Sequence, residues 1–116
     1  MKNPKRKLLS RKEELILLAV WKLQDDKGAY GVTIRRYIEL MTGICWLFGA
    51  VYSPLARLVG HGLVESVESE PLPERGGRRR ILYRLTEDGK SALRATRELS
   101  ASFWEDVPSL VKDLRP

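Results

Sequence analysis

The sequence predicts a mostly α-helical fold that carries one β-hairpin: three helices, two strands and a longer last helix. Two observations support this prediction. Apolar residues recur at helical spacing over four segments, whereas a short stretch after Gly62 alternates between apolar and polar residues. Glycines and prolines separate the segments. The chain of 116 residues is long enough for one small domain with its own core.

The first helix is predicted to begin at Ser10, because Ser10 and Glu13 have capping-box spacing ahead of an apolar run. The polar stretch from Asp25 to Gly28 ends it. We expect a broad inward face made of Leu15, Leu18, Ala19 and Leu23, with Ile16, Val20 and Trp21 beside them.

A second helix is predicted from Tyr30 to Met41, closed by Thr42-Gly43 because glycine readily takes the left-handed stop conformation. Its expected inward residues are Val32, Ile34 or Tyr37, Ile38 and Met41. Its expected solvent-facing residues are Arg35, Arg36 and Glu39.

A third helix is predicted to begin near Leu47 and to end before Gly60-His61-Gly62. Its apolar residues recur at helical spacing, namely Val51, Leu55, Leu58 and Val59. Pro54 suits this helix only in its first turns, where a missing amide costs little.

The alternating stretch from Leu63 to Glu68 predicts a half-buried strand, and a second strand is predicted from Arg80 to Leu85. The connection between them contains two prolines and two glycines and is too long for a two-residue turn. The product is a hairpin whose tip is basic.

A last helix is predicted from a Thr86 cap to about Asp106. Pro108 is expected to kink the segment that follows. Along this helix and beyond it, residues recur at three- and four-residue steps typical of a packing seam: Leu93, Thr96, Ser100, Phe103, Val107, Leu110 and Leu114.

The net charge of +6 comes from two patches. Residues 1–12 hold six bases and residues 75–84 hold five, and neither range contains an acid. Two separated basic patches suit a polyanion, because each neutralised phosphate releases counterions. Three helices followed by a basic hairpin have the order of a winged helix-turn-helix, in which the third helix enters the major groove.

Five stretches carry a closer likeness over roughly residues 8 to 105. They are Ala29-Tyr30-Gly31; Gly49-Ala50-Val51-Tyr52 with Leu55, Arg57 and Leu58; Gly62-Leu63-Val64; Pro73-Glu74-Arg75-Gly76-Gly77-Arg78-Arg79-Arg80; and Tyr83-Arg84-Leu85-Thr86-Glu87-Asp88-Gly89. In this order the sequence resembles PadR-type transcriptional regulators, the phenolic acid decarboxylase regulators. It departs from the usual pattern by placing Trp46-Leu47-Phe48 ahead of the third-helix glycine. These side chains offer few hydrogen bonds to bases but can contact thymine methyl groups.

The resemblance implies a homodimeric, sequence-specific repressor that binds a palindromic operator in double-stranded DNA. It implies a basic arm over residues 1–9, expected to be flexible, a winged-helix domain over 10–86 and a dimerisation helix over 87–116 that carries the seam. The candidate DNA contacts are Tyr30, Arg35, Gly49, Ala50, Tyr52, Ser53, Arg57, Arg75, Gly76, Gly77, Arg78, Arg79 and Arg80.

The resemblance also suggests an effector pocket for a planar aromatic molecule, which Trp21, Phe103 and Trp104 could form at the dimer axis. The alternative is that these aromatic residues belong to the core. A second alternative concerns function, since a winged helix can also serve as a protein- or RNA-docking module without a specific operator.

Other classes are disfavoured. One cysteine, Cys45, and one histidine, His61, can form neither an internal disulfide nor a Cys/His zinc site, so we expect a reducing, cytoplasmic setting and no cofactor. As a nucleophile and base they would lie on the order of 20 Å apart along the third helix, so we expect no enzyme. The longest apolar runs, 15–21 and 44–51, are too short to cross a membrane.

Overall fold

The helices and strands follow one another in the predicted order. The computed structural model describes residues 8–68, 80–105, 107 and 110. Within these residues it contains α1 (Arg11–Leu23), α2 (Gly31–Thr42), α3 (Phe48–Gly60), β1 (Val64–Glu68), β2 (Ile81–Leu85) and α4 (Glu87–Trp104). The predicted class, helical with a two-stranded sheet, is confirmed.

Helix α1 begins with the predicted capping box. The Glu13 amide donates to Ser10 Oγ over 3.1 Å, and the Ser10 amide donates to Glu13 Oε1 over 2.9 Å. The predicted inward face is partly wrong, because Leu18 and Trp21 are 39% and 46% exposed. The buried side of α1 is instead made of Ile16, Leu17, Ala19, Val20 and Leu23.

Helix α2 ends as predicted, with Gly43 at φ 77° and its amide donating to Glu39 O over 2.8 Å. Ile34 and Ile38 are buried, but the prediction that Met41 points inward is wrong. All of the last turn from Glu39 is exposed, so this turn projects beyond the core.

Helix α3 starts after Leu47, as expected. Pro54 is its seventh residue, past the first turn, and its ring is buried with Val51, Leu55 and Leu58. Because proline has no amide hydrogen, the Ala50 carbonyl lacks its usual helical donor. Helix α3 therefore lacks one backbone hydrogen bond at Pro54, and the proline ring is buried in the core.

One core joins the first three helices to the base of the hairpin. Helix α1 lies at its centre and packs against α2, α3, β2 and α4. The buried apolar residues are Ile16, Leu17, Ala19, Val20, Leu23, Ala29, Ile34, Ile38, Val51, Leu55, Leu58, Val64 and Leu85. The packing of the three helices in this core therefore determines which side of α3 faces outward.

The hairpin is antiparallel and runs from the pair Val64 with Leu85 to the pair Glu68 with Ile81. Only the first of these pairs is buried. The expectation of a half-buried first strand is therefore wrong beyond Val64, because the hairpin leaves the core after one residue pair. Residues 69–79 lie outside the described part of the chain, and with them the predicted contacts Arg75, Gly76, Gly77, Arg78 and Arg79.

Helix α4 begins at the predicted Thr86 cap, whose Oγ1 accepts from the Gly89 amide over 3.0 Å. The same hydroxyl donates to Gly62 O over 2.6 Å, which ties the helix start to the end of α3. The helix ends at Trp104, two residues before the predicted end. Pro108 and Leu114 lie outside the described residues, so the predicted kink remains a prediction.

Candidate nucleic-acid interface

Helix α3 presents one continuous exposed face. Exposed residues recur in pairs four apart, the spacing of a single helical side: Phe48, Gly49, Tyr52, Ser53, Ala56, Arg57 and Gly60. The opposite side is buried. Four predicted DNA contacts, Gly49, Tyr52, Ser53 and Arg57, therefore share this face, and Ala50 lies half-buried at its edge. We call this surface the α3 face.

The backbone of the α3 face can be approached closely. A Cβ added at Gly49 would meet no other atom within 4 Å, so packing within the chain does not require glycine there. Ser53 and Ala56 are also small. The hydrogen-bonding groups of this face are the side chains of Tyr52, Ser53 and Arg57.

Tyr52 links α3 to α2 and the hairpin. A Cβ at Gly31, the first residue of α2, would overlap the Tyr52 hydroxyl and ring, so the tyrosine lies directly on the α2 start. On β2, burial raises the pKa of Tyr83, and the neighbouring Tyr52 raises it further. Three elements thus meet around one partly exposed tyrosine side chain.

The structure brings together two predicted DNA contacts, Tyr30 and Arg80, that are far apart in the sequence. The Arg80 guanidinium carbon lies 4.5 Å from the centroid of the Tyr30 ring, a cation–π distance. Tyr30 precedes α2, where its amide donates to Thr33 Oγ1 over 3.0 Å. The Tyr83 amide donates to Ala29 O over 2.8 Å, which fixes the hairpin against this segment. Arg80, the first half of β2 and the start of α2 therefore form one surface beside α3.

Arg35 holds the turn that leads into α3. Its Nη1 donates to Trp46 O over 3.0 Å, and its guanidinium carbon lies 4.2 Å from the centroid of the Phe48 ring. The prediction that Arg35 faces solvent is wrong, because the side chain is half-buried by these contacts. Its predicted role in DNA binding stays a prediction.

Lys12 and Phe48, which are not among the predicted DNA contacts, complete this region. Lys12 Nζ lies 5.6 Å from the Trp46 ring centroid, and Phe48 packs against Tyr52 with centroids 5.8 Å apart. Trp46 itself packs against the core. A basic residue near the chain start was visible in the sequence, but its pairing with Trp46 depends on the fold.

The charge around the α3 face is positive. Over residues 40–60 the sequence has a single charged side chain, Arg57, and no acid. Lys12, Arg35 and Arg80 lie against aromatic rings of the same region. This positive charge attracts a polyanion to α3. The α3 face then presents small and apolar side chains to the part of the polyanion that lies between its negatively charged groups.

A match to a protein-family model shows which family the chain belongs to. The model described as the transcriptional regulator PadR-like family matches residues 17–95. The chain belongs to this family. It is a DNA-binding transcriptional regulator with a winged-helix fold, as the sequence indicated, and its family is one of regulators rather than enzymes.

Solved structures agree with the family assignment. A PadR-like transcription factor from Bacteroides fragilis is 27% identical, with a TM-score of 0.62, and the match covers 90% of this chain and 93% of that one. The chain in a complex structure of hsRosR-S1 has 28% sequence identity to this one, the match covers 90% of each chain, and the TM-score is 0.61. A PadR-like transcriptional regulator from Bacillus cereus, 19% identical over 85% of this chain and 89% of its own, has a TM-score of 0.68 and shows the fold alone. A comparison with curated proteins finds no significant match.

In this PadR-like chain, the predicted seam changes from half-buried at the start of α4 to exposed at its end. Leu93 and Thr96 are half-buried, and the Thr96 hydroxyl donates to Ala92 O over 2.8 Å. Ser100 is exposed, Phe103 is 71% exposed and Leu110 is 46% exposed, whereas Val107 is half-buried. Leu99, which is outside the predicted seam, is also exposed. It precedes Phe103 by one helical turn.

A groove between α1 and α4 has a volume of about 340 Å³. Of the three aromatic residues proposed for an effector pocket, Trp21 lines this groove, and Phe103 and Trp104 are not among its lining residues. The Trp21 ring has Lys90 Nζ 5.5 Å from its centroid. The complete lining is Glu14, Leu18, Trp21, Lys90, Leu93, Arg94 and Arg97.

Among the described residues, no helix is both long and apolar enough to span a membrane. No group of three or more His, Cys, Asp and Glu side chains is close enough to hold a metal ion in the same part of the chain. Cys45 precedes the start of α3 and His61 follows its end, and both residues are exposed.

Proposed function

We propose that this regulator is a homodimeric repressor that binds a palindromic operator through the α3 face of each subunit. One observation carries the proposal, namely the uninterrupted exposed side of α3 with Ser53 and Arg57 on it. Recognition helices of helix-turn-helix proteins reach base edges from such a face. Arginine donates two hydrogen bonds to guanine, and serine can bond to several bases.

The hairpin and the start of α2 supply backbone contacts beside α3. Arg80 and Tyr30 lie together there, and both a guanidinium group and a phenol can donate to phosphate oxygens. Arg75, Arg78 and Arg79 belong to the same proposed surface, with Gly76 and Gly77 between them. Phosphate contacts of this kind position the α3 face without reading sequence.

The dimer is proposed to form through α4. Leu99, Phe103 and Trp104 are 41%, 71% and 49% exposed within six residues at the end of α4, and Leu110 beyond it is 46% exposed. Large apolar side chains exposed so close together in the sequence support a protein interface there. An isologous pair of these helices would place two α3 faces for two half-sites, which is why the proposed operator is palindromic.

The groove between α1 and α4 is the proposed effector site. Trp21 offers a flat apolar ring, and Arg94 and Arg97 offer positive charge. Lys90, which lies over the Trp21 ring, is paired with Glu87 over 3.1 Å, and Glu14 is the one acidic residue among the described residues of the lining. The ring and the two arginines suit a planar aromatic molecule with an acidic substituent. Because the groove joins the DNA-binding body to α4, a bound molecule would alter the spacing of the two α3 faces and relieve repression.

Selection from random duplexes, followed by fluorescence anisotropy on the enriched sequence, tests the proposal. We expect an inverted repeat bound at nanomolar to sub-micromolar concentration at physiological salt. Arg57→Ala and Ser53→Ala should each weaken binding by about 5- to 150-fold, because a hydrogen-bonded base contact contributes about 1–3 kcal/mol. Lys22→Ala is the charge-matched control, since Lys22 is an exposed residue of α1 outside the α3 face.

The docking-module alternative gives a different result. It predicts no enriched sequence and weak duplex binding that falls steeply with salt. Equal affinity of the Arg57→Ala variant and the native protein for an enriched duplex would overturn the assignment of the α3 face.

A further inference from the structure

The turn before α3 exposes three large apolar side chains within five residues. Ile44, Leu47 and Phe48 are 61%, 79% and 51% exposed. One exposed leucine on a protein surface needs no explanation, but a cluster beside a recognition helix indicates a contact surface. We call residues 44–48 the apolar turn.

Helix stability does not explain this composition. Leu47 occupies the N-cap of α3 and makes no side-chain hydrogen bond to the helix start. Serine, threonine, asparagine or aspartate would stabilise this position. Since Leu47 is also largely outside the core, neither capping nor packing accounts for leucine there.

The apolar turn is held in place by two basic residues and by the core. Arg35 donates to Trp46 O and lies over the Phe48 ring, and Lys12 lies over the Trp46 ring. Trp46 packs against the core. The exposed side chains of Leu47 and Phe48 therefore belong to an anchored segment that has two positive charges beside it.

This combination fits one feature of duplex DNA. The first residues of a recognition helix lie against base edges in the major groove. In that groove the apolar group on a base edge is the C5-methyl of thymine. The positive charges of Lys12 and Arg35 beside the turn have the sign that DNA phosphates attract. A protein partner that covered the apolar turn would have to accept the same two charges beside an apolar contact.

We propose that Leu47 and Phe48 read thymine methyl groups, so that each operator half-site contains thymine at the one or two base pairs facing the start of α3. The inference rests on the proposed function, because it requires α3 to lie in the major groove. It adds that base selection at those positions comes from apolar contact rather than from hydrogen bonds.

Deoxyuridine substitution isolates this contact, because uracil lacks only the methyl group of thymine. Each thymine of the enriched duplex is replaced singly, and affinity is measured by anisotropy. At one or two positions in each half-site we expect about fourfold weaker binding, the equivalent of about 0.8 kcal/mol for one buried methyl group.

Two leucine variants make the test specific. Leu47→Ala should bind the thymine and deoxyuridine duplexes equally at one of those positions. Leu40→Ala is the matched control, since Leu40 is 80% exposed but belongs to α2, and it should keep the fourfold difference. Both residues are largely exposed, so the melting temperatures of both variants should lie within a few degrees of that of the native protein.

Two results separate the inference from its foundation. If the enriched duplex binds equally with thymine or deoxyuridine at every position, the inference is overturned while the proposed function stands, and the apolar turn is then a protein contact. If no duplex is enriched at all, the proposed function fails and the inference fails with it.

Discussion

The packing of Tyr52 on Gly31 gives a prediction whose size follows from the structure. A Cβ at Gly31 overlaps the Tyr52 hydroxyl and two ring atoms, so Gly31→Ala must move the ring. Tyr52 is 42% exposed, so somewhat more than half of its side chain leaves its packing site. For an aromatic side chain this is about 100 Å², or about 2.5 kcal/mol at 25 cal/mol per Å².

Alanine in place of glycine partly offsets this loss. The reduced freedom of the unfolded chain returns up to about 1 kcal/mol, and less at the first residue of a helix. We therefore expect Gly31→Ala to lower the free energy of unfolding by about 1.5–2.5 kcal/mol. In thermal melts followed by circular dichroism, this corresponds to a Tm decrease of about 6–20 °C.

A double-mutant cycle with Tyr52→Ala assigns the effect to the pair. With the ring gone, the added methyl group meets no tyrosine atoms, so Gly31→Ala should then be neutral or slightly stabilising. Gly49→Ala is the control, because open space surrounds that position. The same loss of stability from Gly31→Ala in both backgrounds would refute the proposed packing.

Three further outcomes are expected. Gly89→Ala should destabilise the fold by about 2 kcal/mol or more in urea titrations, because its Cβ would overlap the Leu63 carbonyl, whereas Gly60→Ala meets open space; equal stability of the two variants would contradict this. Phe103→Asp should give monomers in light scattering at micromolar concentration, and a persisting dimer would exclude the α4 interface. The raised pKa of Tyr83 means that the folded state disfavours its ionised form, so its contribution is complete below pH 10 and is lost as the pH rises toward the folded-state pKa. Tyr83→Phe should reduce that loss of stability at alkaline pH. If the variant and the native protein lose stability equally with rising pH, Tyr83 is not its source.

Local signals predicted the element order well. The capping box at Ser10, the left-handed glycine after α2 and the threonine cap of α4 each depend on residues at most four positions apart. The periodicity of α3 was sufficient to predict which side is buried. Since the exposed side of α3 is then the remainder, the main part of the candidate site was predictable from the sequence.

Contacts between distant segments were not predictable. Leu18 and Trp21 have the spacing of core residues, but α1 also has a second apolar side that faces the groove with α4. Arg35 was expected in solvent because the backbone and aromatic ring it contacts come 11 and 13 residues later. Such errors arise where a helix packs on more than one side.

The most direct test of the central claim places a negative charge on the α3 face. Ala56 is exposed at the middle of this face, so Ala56→Glu should leave stability nearly unchanged. Anisotropy titration with the enriched duplex should show more than tenfold weaker binding, because a carboxylate facing phosphates costs several kcal/mol. Lys22→Glu, which changes the net charge more but lies on α1, should have a smaller effect. Unchanged affinity of the Ala56→Glu variant would contradict the claim that α3 enters the DNA.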